Sequence, residues 1–547
     1  MSRYAPRTKL ATHEVENQPP EFADRNLFTL DPALRDAVLR EGGAWLDAPL
    51  TALGEAVGSE QVLEWGDQAN RYPPELISFD RWGRRVDEVR FHPSYHALMA
   101  LAMEHRIHSI AWTAGRPGGH VAHAAMLALF TEAEAGVMCP VSMTYAAVPA
   151  LRHAPALAEA WLPKIMHGTY DAPLRPIADK AGVTIGMAMT EKQGGSDVRA
   201  NTTRAEPDGA DGYRLTGHKW FCSAPMCDGF LTLAYLDDAL TCFFVPRITP
   251  DGERNAMHVM RLKDKLGNRS NASSEIEYHG AFAHLVGEPG RGVRTIIEMV
   301  HHTRLSTTAG PLGIMRMALA QAAHHVSYRR AFQRRLMDQP AMRAVIADLA
   351  LEYEANAMLV MRTAAAFDEA TELDRAFARL ATAVGKYWIA KRCPAFVYEC
   401  LECLGGVGYI EETPMPRLYR EAPLNAIWEG SGNVIALDIL RTLAREPRSR
   451  DALAAEIKAA AGQHPAYDAA AAQLREDLSH AVPEAAARMV AERMALVLQA
   501  SLLLRHAPNA ISAAFCESRL AGNWGHLFGA LPKDAPLDAL IARTGFA

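Results

Sequence analysis

Apolar and polar positions change their period twice along the chain. Up to about residue 180 the pattern is mostly helical, with long loops near the start. Within it, 124–131 and 156–162 read as short amphipathic stretches, the second bracketed by Pro155 and Pro163. Asn17-Gln18-Pro19-Pro20-Glu21 reads as an extended, proline-led piece that wraps a neighbour. Between Val183 and about Val286 the runs shorten and alternate. Residues 213–215, 230–235, 241–245, 257–262 and 275–279 predict strands, separated by turns such as Asp208-Gly209 and Asp251-Gly252. Helical spacing returns near Gly292 and lasts into the 440s, where Met342, Val345, Ile346, Leu349, Tyr353 and Val360 share one face. Beyond Arg450 an alanine-rich helical region runs to Arg505, before a less regular tail containing Trp524 and Phe528. Helices, then strands, then helices predict an α+β fold and not a βαβ sheet. The expected units are a helical domain over 1–182, a β domain over 183–290, a helical bundle over 291–445 and a helical extension over 446–547.

Composition narrows the class. The 547 residues exceed one core, and 49% apolar against 22% charged content predicts large buried interfaces. A net charge of −6 gives no overall attraction to nucleic acid or anionic membrane. No apolar run approaches a membrane span, and Met1-Ser2-Arg3-Tyr4-Ala5-Pro6 has no apolar signal core, so a soluble cytoplasmic protein without a membrane partner is expected. The eight cysteines are scattered. Cys400 and Cys403 have Cys-x-x-Cys spacing but lack a second ligand pair, which favours buried helix packing over a metal site.

Candidate chemistry begins at Trp428-Glu429-Gly430-Ser431-Gly432-Asn433, beyond the pair Gly405-Gly406. A carboxylate beside flexible glycines can remove a proton from carbon, and the Ser and Asn can hydrogen-bond a planar polar ring. Alone, such a turn is ordinary loop chemistry. Upstream, an apolar run ending at Met187-Ala188-Met189 breaks into Thr190-Glu191-Lys192-Gln193-Gly194-Gly195-Ser196-Asp197, a loop with hydroxyls and backbone N–H groups to offer. Its spacing matches neither a dinucleotide-binding nor a P-loop fingerprint. Then Thr216-Gly217-His218-Lys219-Trp220-Phe221-Cys222-Ser223-Ala224 supplies a turn and an aromatic-rich strand.

In this order the segments resemble the acyl-CoA dehydrogenase flavoprotein family over roughly residues 90–445. The flavin loop is similar at Met189 to Asp197. The Gly-x-Lys-x-aromatic-x-Ser strand is similar at Gly217, Lys219, Phe221 and Ser223. Leu404-Gly405-Gly406-Val407-Gly408-Tyr409, Tyr419-Arg420-Glu421 and Glu429-Gly430 complete the set. Glu191-Lys192-Gln193-Gly194-Gly195-Ser196-Asp197 and the tail beyond 445 lean toward the AidB-like branch, linked to the adaptive response to alkylation. The resemblance implies a helical domain, a β domain and a four-helix bundle with FAD where they meet. It makes Glu429 the base for the α-proton of an acyl thioester. It puts Met187, Met189, Thr190, Gly195 and Ser196 on one side of the flavin ring and Phe221, Cys222 and Ser223 on the other, with Trp428, Gly405 and Gly406 in the third motif. Ser431 and Asn433 would reach the adenylate half. Arg329 would reach a neighbouring subunit's pyrophosphate, Phe332 would follow it there, and Gln339 would touch the adenine side, which implies a homotetramer. One departure stands out: His301 occupies a position where many members carry Asp, three residues before Arg304, which puts CoA binding in question.

The same branch implies non-specific binding of double-stranded DNA through the tail. From Arg441 to Ala547 there are 12 Lys+Arg against 11 Asp+Glu, with local enrichment only at Arg441, Arg445, Arg448 and Arg450. The expected function is an FAD flavoprotein that binds DNA and limits alkylation damage, with at most weak acyl-CoA dehydrogenase activity. A dehydrogenase for a branched acyl-CoA, and a non-enzymatic DNA shield with structural FAD, are the alternatives.

Overall fold

The computed structural model describes residues 6–209, 212–368, 370–523 and 525–546; residues 1–5 and Trp524 lie outside them. The N-terminal unit is helical, with a hairpin of β1 (Glu75–Phe79) and β2 (Arg85–Arg90) that the periodicity did not predict. Four of the six residues of β2 are charged, and β1 (Glu-Leu-Ile-Ser-Phe) is too short for alternation to stand out. Leu76 packs on the core of the β domain, Arg254 pairs with Glu88 at 2.6 Å and Arg85 donates to the Val259 carbonyl at 3.1 Å. At the centre lies α1 (Gly119–Ala133), buried at every position. The amphipathic face expected over 124–131 is therefore absent, because helices enclose it on all sides. One of them is α3 (Gly292–Tyr328), which approaches so closely that a Cβ on Gly313 would sit 2.1 Å from the Ala128 carbonyl oxygen. Between them in sequence, α2 (Met138–Leu151) packs on α3 as well.

The β domain contains β3 (Ile185–Ala188), β4 (Arg204–Asp208), β5 (Gly212–Ser223), β6 (Gly229–Leu236), β7 (Ala239–Pro246), β8 (Met257–Leu262) and β9 (Ser273–Val286). The order β6-β4-β5-β9-β7 closes on itself, because β7 also pairs with β6. Closure removes free edges and encloses buried residues such as Thr232, Phe243 and Ile276. The strand β3 adds parallel to β6, which brings the loop after residue 188 to one end of this barrel.

The bundle comprises α3, α4 (Pro340–Ala366), α5 (Glu372–Cys403), α6 (Met415–Glu421) and α7 (Gly432–Arg445). Nearly every residue of α4 from Ile346 to Ala364 is buried, not one face alone. The extension causes this: α8 (Ala487–His506) and the helix Leu537–Ala542 cover the outer side of α4. Asp348, Glu352 and Glu354 on α4 are thereby buried and must be paired. Arg519 bonds Asp348 and lies 3.3 Å from Glu352, Arg392 meets Glu352 at 2.9 Å, and Arg543 meets Glu354 at 2.9 Å. The extension is thus joined to the bundle by buried charge. Cys400 and Cys403 are buried in α5, in keeping with packing, and no helix among the described residues is long and apolar enough to cross a membrane.

The three units meet around two carboxylates. Glu134, just past α1, accepts from Asn70 Nδ2 at 2.9 Å, Val137 N at 2.7 Å and Ser270 Oγ at 2.7 Å. Glu421 at the end of α6 accepts from the Asn268 backbone N–H at 2.6 Å. Burial, aided by the charge of Glu134, pushes the Glu421 carboxyl up to about 7.

Two outcomes are expected. Arg519→Met leaves Asp348 buried without its cation, and Glu352 with Arg392 alone, and should cost about 3–5 kcal/mol in urea unfolding. Glu421, whose carboxyl is raised in the fold, stabilises below its ordinary value of 4.5 and loses that contribution as pH rises towards 7. Glu421→Gln should therefore unfold with up to about 3 kcal/mol more stability than wild type at pH 8, and with little difference at pH 4.5.

Candidate functional site

The loop following β3 is organised by one fully buried carboxylate. Glu191 Oε1 accepts from Lys219 Nζ at 2.8 Å, from Thr203 Oγ1 at 2.6 Å and from the Thr203 N–H at 3.2 Å. Oε2 accepts from the Thr202 N–H at 2.6 Å, Thr202 Oγ1 at 3.0 Å and Gln193 Nε2 at 2.7 Å. Burial alone would raise this carboxyl, but Lys219 and the donors hold it at about 2, so it stays ionised. Lys219 spends a second proton on the Leu233 carbonyl at 2.8 Å, tying loop and barrel together. A Cβ on Gly195 would lie 2.4 Å from Thr190 Oγ1, so the loop folds back only with glycine there. Met187, Met189 and Thr190 are half-buried, while Gly195 and Ser196 are exposed. The Thr190 and Ser196 side chains make no hydrogen bond among the described residues, which leaves them free for a ligand.

The second wall is the end of β5. Phe221 is 51% exposed, and Ser223 shares a 3.2 Å hydrogen bond with Ser273. The Cys222 side chain points into the barrel core and its carbonyl accepts from Ser274 Oγ at 3.0 Å, so its thiol does not reach the cleft. The third wall carries Trp428 and Glu429. Trp428 packs against the same apolar cluster as Met187 and Met189. Cys139 at the start of α2 bonds Ser223 and feels the charge of Glu429; burial pushes its thiol up to about 12.

Glu429 adopts φ 54° and Gly430 φ 101°, a left-handed pair that for the glutamate is worth roughly 1–2 kcal/mol of strain. Thr303 Oγ1 on α3 donates to Glu429 Oε2 at 2.7 Å. Arg304 Nε donates to the Glu429 carbonyl at 3.2 Å, and its other end pairs with Asp438 at 2.9 Å. Lys386 on α5 donates to the carbonyls of Trp428 at 2.8 Å and of Gly430. Burial raises the Glu429 carboxyl above its ordinary range, with Thr303, Arg304 and Lys386 opposing it. A hydrogen-bonded carboxylate of raised pKa is suited to receive a proton from carbon. His301 stacks on Phe367 with centroids 4.6 Å apart, and burial lowers it well below the ordinary histidine range. A neutral imidazole therefore stands where a carboxylate could have been. Its neighbour His302 donates from Nδ1 to the Glu298 carbonyl at 2.9 Å and is lowered by burial to about 4.

The remaining sequence-derived residues lie elsewhere in the chain. Arg329 follows α3, and the hairpin Arg330–Ala331 with Arg334–Arg335 presents Phe332 at 91% exposure. Asn17 holds this hairpin: Arg329 donates to its carbonyl at 2.8 Å, Arg330 N–H to its Oδ1 at 2.8 Å, and its Nδ2 to the Arg330 carbonyl at 2.9 Å. Gln339 Nε2 donates to the Ala331 carbonyl at 3.0 Å. Thr303 and Tyr328 sit 25 residues apart on α3, about 37 Å at about 1.5 Å per residue. Phe332 is thus remote from the Glu429 of its own chain. Gly405 and Gly406 are similarly displaced, beyond the far end of α5 from Lys386, and a Cβ on either would meet nothing within 4 Å. Ser431 is exposed before α7, and Asn433 Oδ1 accepts from Arg488 of the extension at 2.8 Å. Arg441 lies 3.7 Å from Asp438, Arg448 lies 3.8 Å from Glu372, Arg450 donates to the Leu443 carbonyl, and Arg445 is exposed.

Glu191, Lys219, Thr303 and Lys386 were not singled out for a role from the sequence. The first two stand inside the quoted motifs, so alternation along β5 could have marked Lys219 as inward. Thr303 and Lys386 carry no such signal.

Comparison with known proteins agrees with this layout. Residues 17–172 match the Adaptive response protein AidB N-terminal domain, 186–281 the acyl-CoA dehydrogenase middle domain and 290–444 the acyl-CoA dehydrogenase C-terminal domain. AidB of Escherichia coli (strain K12) is 42% identical over 537 residues, 98% of each chain. Acyl-CoA dehydrogenase family member 11 of Caenorhabditis elegans is 31% identical over 75% of this chain and 69% of its own. The crystal structure of Caenorhabditis elegans ACDH-11 in complex with C11-CoA superposes with a TM-score of 0.86 at 26% identity, covering 97% of this chain and 96% of that one. An acyl-CoA dehydrogenase complexed with FAD from Bacillus anthracis shares the fold, with a TM-score of 0.69 at 15% identity. Helical, β and helical units in this order, with these matches along nearly the whole chain, make it a member of the acyl-CoA dehydrogenase family, in its AidB branch.

Proposed function

We propose that the chain is an AidB-like FAD flavoprotein that binds double-stranded DNA and limits alkylation damage, while keeping a dehydrogenase-type site of at most weak activity toward acyl-CoA. FAD is the cofactor of the family, and the residues here fit it. The hydroxyls of Thr190 and Ser196 are free, Gly195 is compelled by close approach, and Phe221 and Trp428 offer ring faces. Bound FAD would supply the acceptor for a hydride from the substrate's β-carbon. The protein's own part is acid–base and positional. Glu429 takes the α-proton onto its carboxylate, Thr303 orients that carboxylate, and the apolar wall of Met187, Met189 and Trp428 excludes water.

The observation carrying this reading is the pairing of Thr303 with Glu429, with a neutral His301 two residues earlier on α3. The base is oriented, yet the position three residues before Arg304 offers no fixed charge to the amide and hydroxyl groups of a pantetheine arm. Weak rather than efficient handling of acyl-CoA follows. The ACDH-11 complex with C11-CoA supports an acyl-CoA as the ligand class. Exposed Arg441, Arg445 and Arg448 at the corner between α7 and the helix Pro447–Lys458 support contact with DNA phosphates. The distance along α3 supports Arg329 and Phe332 serving a second copy, within a homotetramer.

Two outcomes test it. Some member of a C4–C12 acyl-CoA panel should slowly bleach the visible absorbance of the purified yellow protein, and Glu429→Gln should slow bleaching by about 10²–10⁴-fold; a variant that bleaches as fast as wild type removes Glu429 from the role. Duplex DNA should be retarded in a salt-dependent way. Replacing Arg441, Arg445 and Arg448 together by Ala should lower the slope of log K against log salt by about 3, and no retardation at low salt would remove DNA from the reading.

A further inference from the structure

The two residues on either side of Glu429 are fastened by the same side chain, and that side chain belongs to no motif. Lys386 is 1% exposed, on a stretch of α5 whose neighbours Tyr387, Trp388 and Ile389 are apolar. An ammonium there needs acceptors. It finds the carbonyls of Trp428 and Gly430. Those carbonyls converge on one point because Glu429 and Gly430 both take positive φ, which turns the peptide planes inward. Arg304 completes the arrangement from α3 by donating to the carbonyl between them. Three successive carbonyls are thus held by two cations from two different helices.

We propose that Lys386 is a positioning residue: its ammonium clamps the strained turn and thereby sets where the Glu429 carboxylate stands. The proposal rests on reading Glu429 as the base. The charged groups facing the clamp are Glu429 itself, Arg304 from α3, Lys391 one turn further along α5, and Asp438 on α7, which is bridged to Arg304 and Arg379. Among them only Glu429 adds negative charge close to Lys386, so the two groups favour each other's charged forms. Burial lowers Lys386 to about 7, and Glu429 opposes that shift. Thr303 cannot substitute for the clamp, since it touches the carboxylate and not the backbone. Without Lys386, both flanking carbonyls would be left unpaired and the left-handed turn would be free to relax.

Hydrogen exchange read by mass spectrometry on the FAD-loaded protein tests this without any substrate. In Lys386→Met, an unbranched apolar replacement one atom shorter, amides within 428–433 should exchange at least tenfold faster than in wild type. The loop 189–203 should remain protected and the flavin spectrum unchanged. Lys386→Arg should restore most of the protection, and Lys386→Gln replaces the methionine variant if that one does not fold. With a bleaching acyl-CoA, the methionine variant should lose at least tenfold in bleaching rate with its Kd for the thioester unchanged. Unaltered exchange at 428–433 in the methionine or glutamine variant overturns the proposal. Failure of every acyl-CoA to bleach the wild type overturns the base reading instead, and leaves the exchange result to decide the clamp.

Discussion

The ion pair of Glu191 with Lys219, with no solvent on either side, is the constraint from which the site is built. A carboxylate in such a place must have every lone pair occupied, and this one gathers donors from residues 193, 202, 203 and 219. Each donor lies at a different point along the loop or on β5, so only one loop path satisfies all of them together. Apolar groups in place of the pair can keep stability but release that path, because they give the loop no donors or acceptors to satisfy. The free hydroxyls of Thr190 and Ser196, the reversal at Gly195 and the bond from the Trp220 N–H to the Thr190 carbonyl at 2.8 Å all follow from it.

A second constraint works in the opposite sense at Glu429. There the carboxylate has, among the described residues, a single side-chain donor, Thr303, and the crowding of hydrogen bonds is moved onto the backbone of the turn. Glu191 is held ionised at about 2, whereas burial raises Glu429. Two buried glutamates are thus separated in acidity by the charge of Lys219 and by the donors each receives, and the less acidic one is the better suited to accept a proton.

The order of helical, β and helical units was legible because the apolar period changes at residues 183 and 292, and periodicity reports such changes directly. The strands at 230–235, 241–245 and 257–262 fall within β6, β7 and β8 for the same reason. The hairpin of β1 and β2 was not legible, since β2 is mostly charged and its contacts with Met226 and Arg254 lie more than 130 residues along the chain. The amphipathic reading of 124–131 failed because burial on all sides leaves no polar face to detect. Among site residues, Thr190, Gly195, Phe221 and Glu429 could be named from local motifs. Lys386 could not, because its acceptors are backbone atoms more than 40 residues along the chain. Backbone carbonyls leave no trace in side-chain identity.

The carboxylates of α4 have a bearing on biosynthesis. Asp348 waits 171 residues for Arg519, and Glu354 waits 189 for Arg543. At roughly 5–20 residues per second on the ribosome, that interval is on the order of 10–40 s. Throughout it, the nascent helix carries negative charge that the surrounding apolar side chains cannot accept. The half-made bundle must therefore stay open or hydrated, a target for holdases and proteases, until translation delivers the arginines that let it shut.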